Sequence, residues 1–221
     1  MIKIIKGQEP ASWLYRRLTP GTDYEATDDL KESLLKEQGY ICAYCMRRIP
    51  VNDNGVTDKS RIEHFKPRES MDSAKERMDY SNLLICCPGA MSGSSWKNAH
   101  CDRKKGSMEI SFSPTDLNCI STLSYGVDGT IQSTNEIYNK EINDILNLNL
   151  PLLKSNRKNV REAINRKIGQ RGWSKGILEK LLHEASEKDG NGRFQPYCGV
   201  LLWYLDKKLR QLNSQQKKGK G

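Results

Sequence analysis

The sequence predicts an α+β fold: a small cysteine-rich core with short strands, then a β-hairpin, then a helical C-terminal region. Three observations carry this. Five of the seven cysteines lie between Cys42 and Gly106, in a stretch whose apolar runs are too brief for helices. Gly126-Val-Asp-Gly129 separates two β-prone runs, Ile120 to Tyr125 and Thr130 to Ser133, which is the pattern of a hairpin. From Asn135 onward, apolar residues recur at helical spacing.

In chain order, residues 1–30 lack strong periodicity. Pro10, Pro20 and Gly21 point to an extended lead-in that packs Trp13 and Leu14 onto the body. Asp28 to Gln38 reads as a helix capped by Thr27 or Asp28, with Leu30, Leu34 and Leu35 on one face and Gly39 ending it. Tyr40-Ile-Cys-Ala-Tyr-Cys45 is a short strand entering a tight turn. Asn52 to Gly55 signals a turn, Lys59 to Phe65 a strand, Ser73 to Met78 a short polar helix, and Leu83 to Ile85 a buried apolar run. Pro88 to Asn98 is rich in Gly and Ser and reads as a loop. Ser107 to Phe112 is expected to be extended, and Ser113 to Asp116 to turn. Ile137, Ile142, Ile145, Leu146 and Leu148 form one apolar set. Helices follow over Leu152–Ile168, Ile177–Glu187 and Pro196–Leu212. The chain thus divides into an N-terminal extension and helix (1–39), a cysteine-rich core (40–112), a hairpin plus basic helical region (113–212), and a disordered basic tail (213–221).

A chain of 221 residues can form one large domain or two small ones. No apolar run approaches the ~20 residues of a membrane span. The first residues lack the ~7–15-residue apolar core of a secretory signal, so a cytoplasmic protein is expected. There thiols stay reduced, and seven is an odd number for a complete disulfide framework. The net charge of +9 is uneven: Pro151 to Gly221 carries 17 basic and 6 acidic side chains, against 19 and 21 before it. A positive C-terminal portion suits a polyanion such as nucleic acid, and equally suits a solvated helical surface.

Cys42-x-x-Cys45 and a later pair, Cys87 and Cys101, have the logic of a closed four-thiolate zinc site, two ligands coming from one tight turn and two from a second segment. The second pair is separated by the loop through Trp96, so buried free thiols are the competing reading. Glu63-His64 could place a proton acceptor beside a carboxylate that holds a hard cation, and is equally the sort of pair found on ordinary surfaces.

The order Cys-x-x-Cys, carboxylate-His, Asn82-Leu-x-x-x-Cys87, Cys101-x-x-x-Lys105 resembles the HNH (ββα-metal) nuclease family. Ile41-Cys-Ala-Tyr-Cys45, Ile62-Glu-His-Phe-Lys-Pro67, Asn82-Leu-Leu84 and His100-Cys-Asp-x-x-Lys-Gly106 resemble its PtuB branch, the nuclease subunit of Septu-type anti-phage systems. So does Leu146-Asn-Leu-Asn-Leu150 with Asn156-Arg157 downstream. The resemblance runs from about Trp13 to the last helix. It implies a zinc-stapled ββα-metal module in which Cys42, Cys45, Cys87 and Cys101 hold structural Zn²⁺, Cys87 being preferred to Cys86 because it keeps the family's step from Asn82. It implies that His64 is the general base and that Glu63 binds the catalytic ion, Mg²⁺ or Mn²⁺. Asn82 would fix the loop and orient the His or the metal shell. Asp102 stands where many members have their last His and would be the second ligand, with His100 as the alternative. Lys66, Arg68, Arg103, Lys104 and Lys105 ring the site and could hold flanking phosphates, though each is also an ordinary exposed cation.

The implied activity is phosphodiester cleavage as an antiviral effector with a PtuA-like ATPase, in some systems attached to a retron reverse transcriptase. The chain has no Gly-x-x-x-x-Gly-Lys-[Ser/Thr] of its own, so ATP control would come from a partner. DNA is the favoured substrate, RNA such as host tRNA an alternative, and a non-catalytic zinc-ribbon binding module the rival from another class. His183, Cys119 and Cys198 are read as structural or surface residues, Trp203 and Tyr204 as core, and Trp96 as a candidate stacking residue or partner contact.

Overall fold

The computed structural model describes residues 1–51, 60–90 and 95–218. Its architecture is mixed: helices with two small antiparallel sheets. Helix α1 spans Ala11–Leu18 and α2 spans Asp28–Glu37. The first replaces the expected extended lead-in, because Pro10 sits at the position preceding it, where a missing N–H costs nothing. Trp13 is buried and donates its indole N–H to the Met78 carbonyl at 2.9 Å, whereas Leu14 stays partly exposed. Leu30, Leu34 and Leu35 are buried on α2. Gly39 follows at φ +59, and a Cβ there would collide with the Phe194 ring.

Residues 41–48 form a knuckle closed by the Ile41–Arg48 bridge and by Met46 N–H to the Cys42 carbonyl at 3.0 Å. Strand β1 (Arg61–His64) pairs antiparallel with β2 (Leu83–Cys86), with Glu63 opposite Leu84 and His64 opposite Leu83. The short α3 (Ala74–Arg77) lies between them in sequence. The Gln38 side chain bonds the Ile41 carbonyl and both backbone groups of Ile85, tying α2, the knuckle and β2 together. Helix α4 (Asp102–Lys105) comes after β2. The turn expected at Asn52–Gly55, the start of the Lys59 strand and residues 91–94 of the Gly/Ser-rich loop lie outside the described residues.

Ser107 to Phe112 forms no strand. The Ser111 and Phe112 N–H groups bond the Glu141 carboxylate instead, each at 2.8 Å. Helix α5 (Leu117–Ser121), capped by Asp116, takes the first part of the run expected as a strand, leaving a short hairpin of β3 (Leu123–Tyr125) and β4 (Ile131–Ser133). Helix α6 (Glu136–Lys140) continues into a wider π turn over Glu141–Ile145. Ile142, Leu146 and Leu148 are buried, while Ile137 is 64% exposed. Ile137 stands five residues from Ile142 and so cannot share its face.

Helix α7 (Pro151–Arg171) opens on a proline and buries Leu153 and Ile168. Helices α8 (Lys175–Ser186) and α9 (Cys198–Lys218) complete the chain. The segment expected to be disordered from Asn213 is helical through Lys218. It is built of Gln, Lys and other residues that tolerate a helix, and the first Gly comes at 219. The main core gathers buried residues from Met1 to Val200, and a second, all-helical core gathers Ile168, Leu178, Leu181, Ala185, Leu201 and Leu205. No helix among the described residues is long and apolar enough to cross a membrane.

The segment after the π turn works as a strap. The Leu146 carbonyl accepts from Cys101 N–H at 2.9 Å. Asn147, at φ 50, donates its side-chain amide to the carbonyls of Ala99 (2.8 Å) and Lys97 (3.3 Å). Asn149 bonds both backbone groups of Ile131 on the hairpin. Arg157, fully buried, reaches the carbonyls of Gly129 (2.6 Å) and Leu148 (2.7 Å).

Candidate functional site

Two neighbouring clusters are assembled by the knuckle, the β1–β2 pair and α4. The first is sulfur. Cys42 and Cys45 come from the knuckle, Cys87 from the residue just past β2, and Cys101 from the position before α4, where its φ of 56 turns the chain sharply. All four are buried and their sulfurs lie within 4.8 Å of one another. Cys42–Cys101 and Cys45–Cys87 are each 3.7 Å apart, and Cys87–Cys101 is 3.9 Å. Zn–S bonds of about 2.3 Å in a tetrahedron place sulfurs about 3.8 Å apart. The separations therefore fit a metal centre, and the donor set suits an ion such as zinc. Cys86 is also buried but lies outside the group of four, so Cys87 is the member that geometry selects. His100 sits against this cluster: Nε2 is 3.8 Å from Cys87 Sγ, and Nδ1 is 3.2 Å from the Asn98 carbonyl.

The second cluster lines a polar cleft of about 220 Å³ whose walls include Arg61, Glu63, His64, Arg68, Asp102 and Ser107. His100 is not among its lining residues, so of the two alternatives only Asp102 shares the cleft with Glu63. Glu63 is 1% exposed. It accepts a hydrogen bond from the Tyr44 hydroxyl at 2.7 Å and pairs with Lys105 Nζ at 2.9 Å. Burial pushes its pKa well above the ordinary carboxylate range, the facing Asp102 carboxylate pushes the same way, and Lys105 opposes them. Asp102, at the first turn of α4, pairs with Arg61. Among the described residues, the four cysteines are the one set of three or more Cys, His or acidic side chains close enough to share an ion; Glu63 and Asp102 line the cleft as a pair of carboxyl groups.

His64 is 8% exposed. Its Nε2 lies 2.9 Å from the Arg77 carbonyl. A carbonyl can only accept, so Nε2 carries the proton and Nδ1 keeps the lone pair. The Tyr24 ring meets the imidazole edge-on, centroids 4.4 Å apart. Burial lowers the His64 pKa and the nearby Arg68 charge lowers it further, against the opposing pull of the Arg77 carbonyl.

Asn82 touches neither His64 nor the carboxylates by a direct hydrogen bond. It clamps the backbone of Lys66, accepting from its N–H at 2.7 Å and donating to its carbonyl at 3.0 Å, and so fixes the loop leaving β1. Lys105, expected to hold phosphate, is buried: its ammonium donates to the His64 carbonyl at 3.1 Å and pairs with Glu63. Its basic neighbours suggested an exposed position, but the first helical turn of α4 carries it inward. Lys66, Arg68 and Arg103 are exposed, and Arg68 lies over the Tyr24 ring. Lys104 lies over the exposed Trp96 ring at 5.5 Å. His183 is exposed on α8, Cys119 and Cys198 are buried, Tyr204 is buried and Trp203 partly so.

Tyr24, Tyr44, Arg61 and Asn147 are additions that the sequence pattern did not single out as site residues. Tyr44 lies inside the Cys-x-x-Cys turn and Arg61 two residues before Glu63, so adjacency to the motifs was the available signal for those two. No protein-family model matches the chain, and no curated protein matches it.

Proposed function

We propose that the chain is a metal-dependent HNH-type endonuclease that hydrolyses nucleic-acid phosphodiester bonds, DNA being the favoured substrate. The observation that carries this reading is His64. It is a buried, proton-poor imidazole with Nε2 tied to a backbone carbonyl, lining one cleft with the carboxylates Glu63 and Asp102. The β1–β2 pair followed by α4 is the order of elements that the ββα-metal reading requires.

In this reading His64 Nδ1 takes the proton from the attacking water, and its lowered pKa keeps it unprotonated near neutral pH. Arg77 holds the ring in one tautomer, and the Asn82 clamp holds the loop that follows. Glu63 and Asp102 are the residues that would hold Mg²⁺ or Mn²⁺. When bound, such an ion supplies positive charge to the phosphate and to the leaving oxygen. Lys105 fixes Glu63, Arg61 fixes Asp102, and the exposed Arg68 and Lys66 stand ready for flanking phosphates. The four cysteines make a closed set, which suits a structural zinc with no open position for water. The PtuB-like motifs add an expected PtuA-like ATPase partner, in retron-linked systems a reverse transcriptase, and a role in antiviral defence.

The test is a cleavage assay on plasmid DNA, single-stranded DNA and tRNA with Mg²⁺ or Mn²⁺, on the chain alone and on the complex purified from its native operon. Cleavage that needs the divalent ion and is lost in His64→Ala, with zinc content and fold retained, is the expected result. Cleavage of tRNA alone would move the substrate to RNA. His64→Ala protein that cuts as fast as the parent, or a parent that cuts nothing in either form, would overturn the nuclease reading in favour of a binding module.

A further inference from the structure

The basic excess of the C-terminal region is not spread evenly over its helices. On α7, Lys154, Lys158 and Lys167 are each ion-paired to a carboxylate, and on α9 Arg210 pairs with Asp206. Among the described residues, Arg161, Lys207 and Lys208 have no carboxylate partner. Each is instead set over an aromatic ring. Lys208 Nζ lies 5.3 Å from the Trp173 ring centroid and 5.7 Å from that of Tyr204; Arg161 lies 5.5 Å from Tyr204. Lys207 Nζ lies 4.9 Å from Trp203. The result is an alternating row, Trp173–Lys208–Tyr204–Arg161, in which Tyr204 is buried and Trp173 exposed, with Lys207 and Trp203 beside it.

One feature separates this row from ordinary helix packing. Trp173, in the turn between α7 and α8, is 45% exposed and is not packed into the all-helical core. Arg161 donates one N–H to the Gly126 carbonyl and its Nε is buried without a partner, so it braces the row from inside. Free cations alternating with aromatic faces are the composition that binds a strand whose phosphates and bases are both accessible. A duplex offers its phosphates but keeps its bases stacked.

We infer that the face made by the Trp173 turn and α9 binds single-stranded nucleic acid, phosphates on Lys207 and Lys208 and a base on Trp173. None of these residues lines the cleft, so the surface would hold a strand at a second point. The inference does not rest on the nuclease reading, because it concerns binding and not cleavage.

The experiment uses full-length His64→Ala protein with no added divalent ion and no chelator. Fluorescence anisotropy is read against labelled 20-mers of one sequence as single-stranded DNA, single-stranded RNA and duplex DNA, over a salt series. Trp173→Ala is expected to weaken binding to the single strands by about 5- to 150-fold, the range seen for loss of one stacked base, and to leave the duplex nearly unchanged. Lys207→Gln with Lys208→Gln should lower the slope of log affinity against log salt by about 1.4, two single-strand phosphate contacts. Both substitutions are at the surface, and melting curves check the fold. The DNA and RNA arms decide which strand is preferred. Unchanged single-strand affinity in both variants overturns the proposal, and so does equal loss on single strands and duplex in Trp173→Ala. Trp173-dependent binding, together with a parent carrying His64 that cleaves nothing alone or in its complex, would uphold this surface and sink the nuclease reading alone.

Discussion

Replacing Lys105 with Met separates the burial of charge in the cleft from the burial of apolar volume. Methionine fills much of the same space, while the ammonium that sits 2.9 Å from Glu63 disappears. The side chains of Lys105 and Glu63 are 0% and 2% exposed, so water cannot take over. Removing one partner of a buried pair costs about 3–5 kcal/mol, because the other charge is stranded. Here the stranded carboxylate also faces Asp102. It has one escape, which is to take up a proton. A carboxyl whose folded pKa is raised gives its full stability below its unfolded pKa and loses it as pH rises through the folded value. The deficit against the parent should therefore grow with pH. At pH 8.5 the full 3–5 kcal/mol is expected. At pH 6 neutralising the carboxyl costs only about 1.4 kcal/mol for each unit above an unfolded pKa near 4.3, so its share of the deficit should not exceed about 2.4 kcal/mol, the lost hydrogen bond to the His64 carbonyl adding the same cost at both pH values. Urea unfolding of parent and variant at both pH values measures this, with zinc competition cancelling in the difference. Adding Glu63→Gln should recover most of the loss at pH 8.5. A deficit independent of pH, or a double variant no more stable than Lys105→Met, would refute the buried-pair reasoning.

Cys87→Ser should drop bound zinc well below one per chain, while Cys86→Ser should keep it; metal analysis of the purified proteins decides between them. Asn147→Gly should cost about 1–3 kcal/mol from two lost hydrogen bonds, and Asn147→Ala about 1 kcal/mol more because an L side chain resists φ 50; equal melting points for the two would deny the backbone contribution. Cleavage rate should rise with pH through a value below that of a free imidazole and then level off, and Arg68→Met should move that limb to higher pH; a limb that stays in place would remove Arg68 from the environment of His64.

The sequence carried the parts of the site that local chemistry dictates. A Cys-x-x-Cys turn can be read without a structure because its two ligands are neighbours. The 3.6 period of α7 to α9 could be read because burial repeats along each helix. What escaped depends on distant segments or on a single rotation of a helix. Lys105 stands in Arg-Lys-Lys, which reads as exposed, and only the first turn of α4 shows that it points inward. Helix α1 is eight residues long between a Pro and a Thr, too brief for periodicity to reveal. Ile120 is apolar enough for a strand, but the Asp116 cap turns it into α5. Asn147 looked like part of a repetitive Leu-Asn pattern, and its role exists only because residues 97–99 come to it through space.

The strap has a consequence in time. Cys42, Cys45, Cys87 and Cys101 are all synthesised before Leu146, Asn147 and Asn149, yet the segment that presents Cys101 is held by bonds to Leu146 and Asn147. At about 5–20 residues per second, a ribosome needs about 2–10 s to cover that gap. During this interval the nascent chain has its four thiols and lacks the brace for the fourth. A growing chain would therefore complete its sulfur cluster late, after the π turn has emerged, and the cleft residues that flank Cys101 would be set only at that stage.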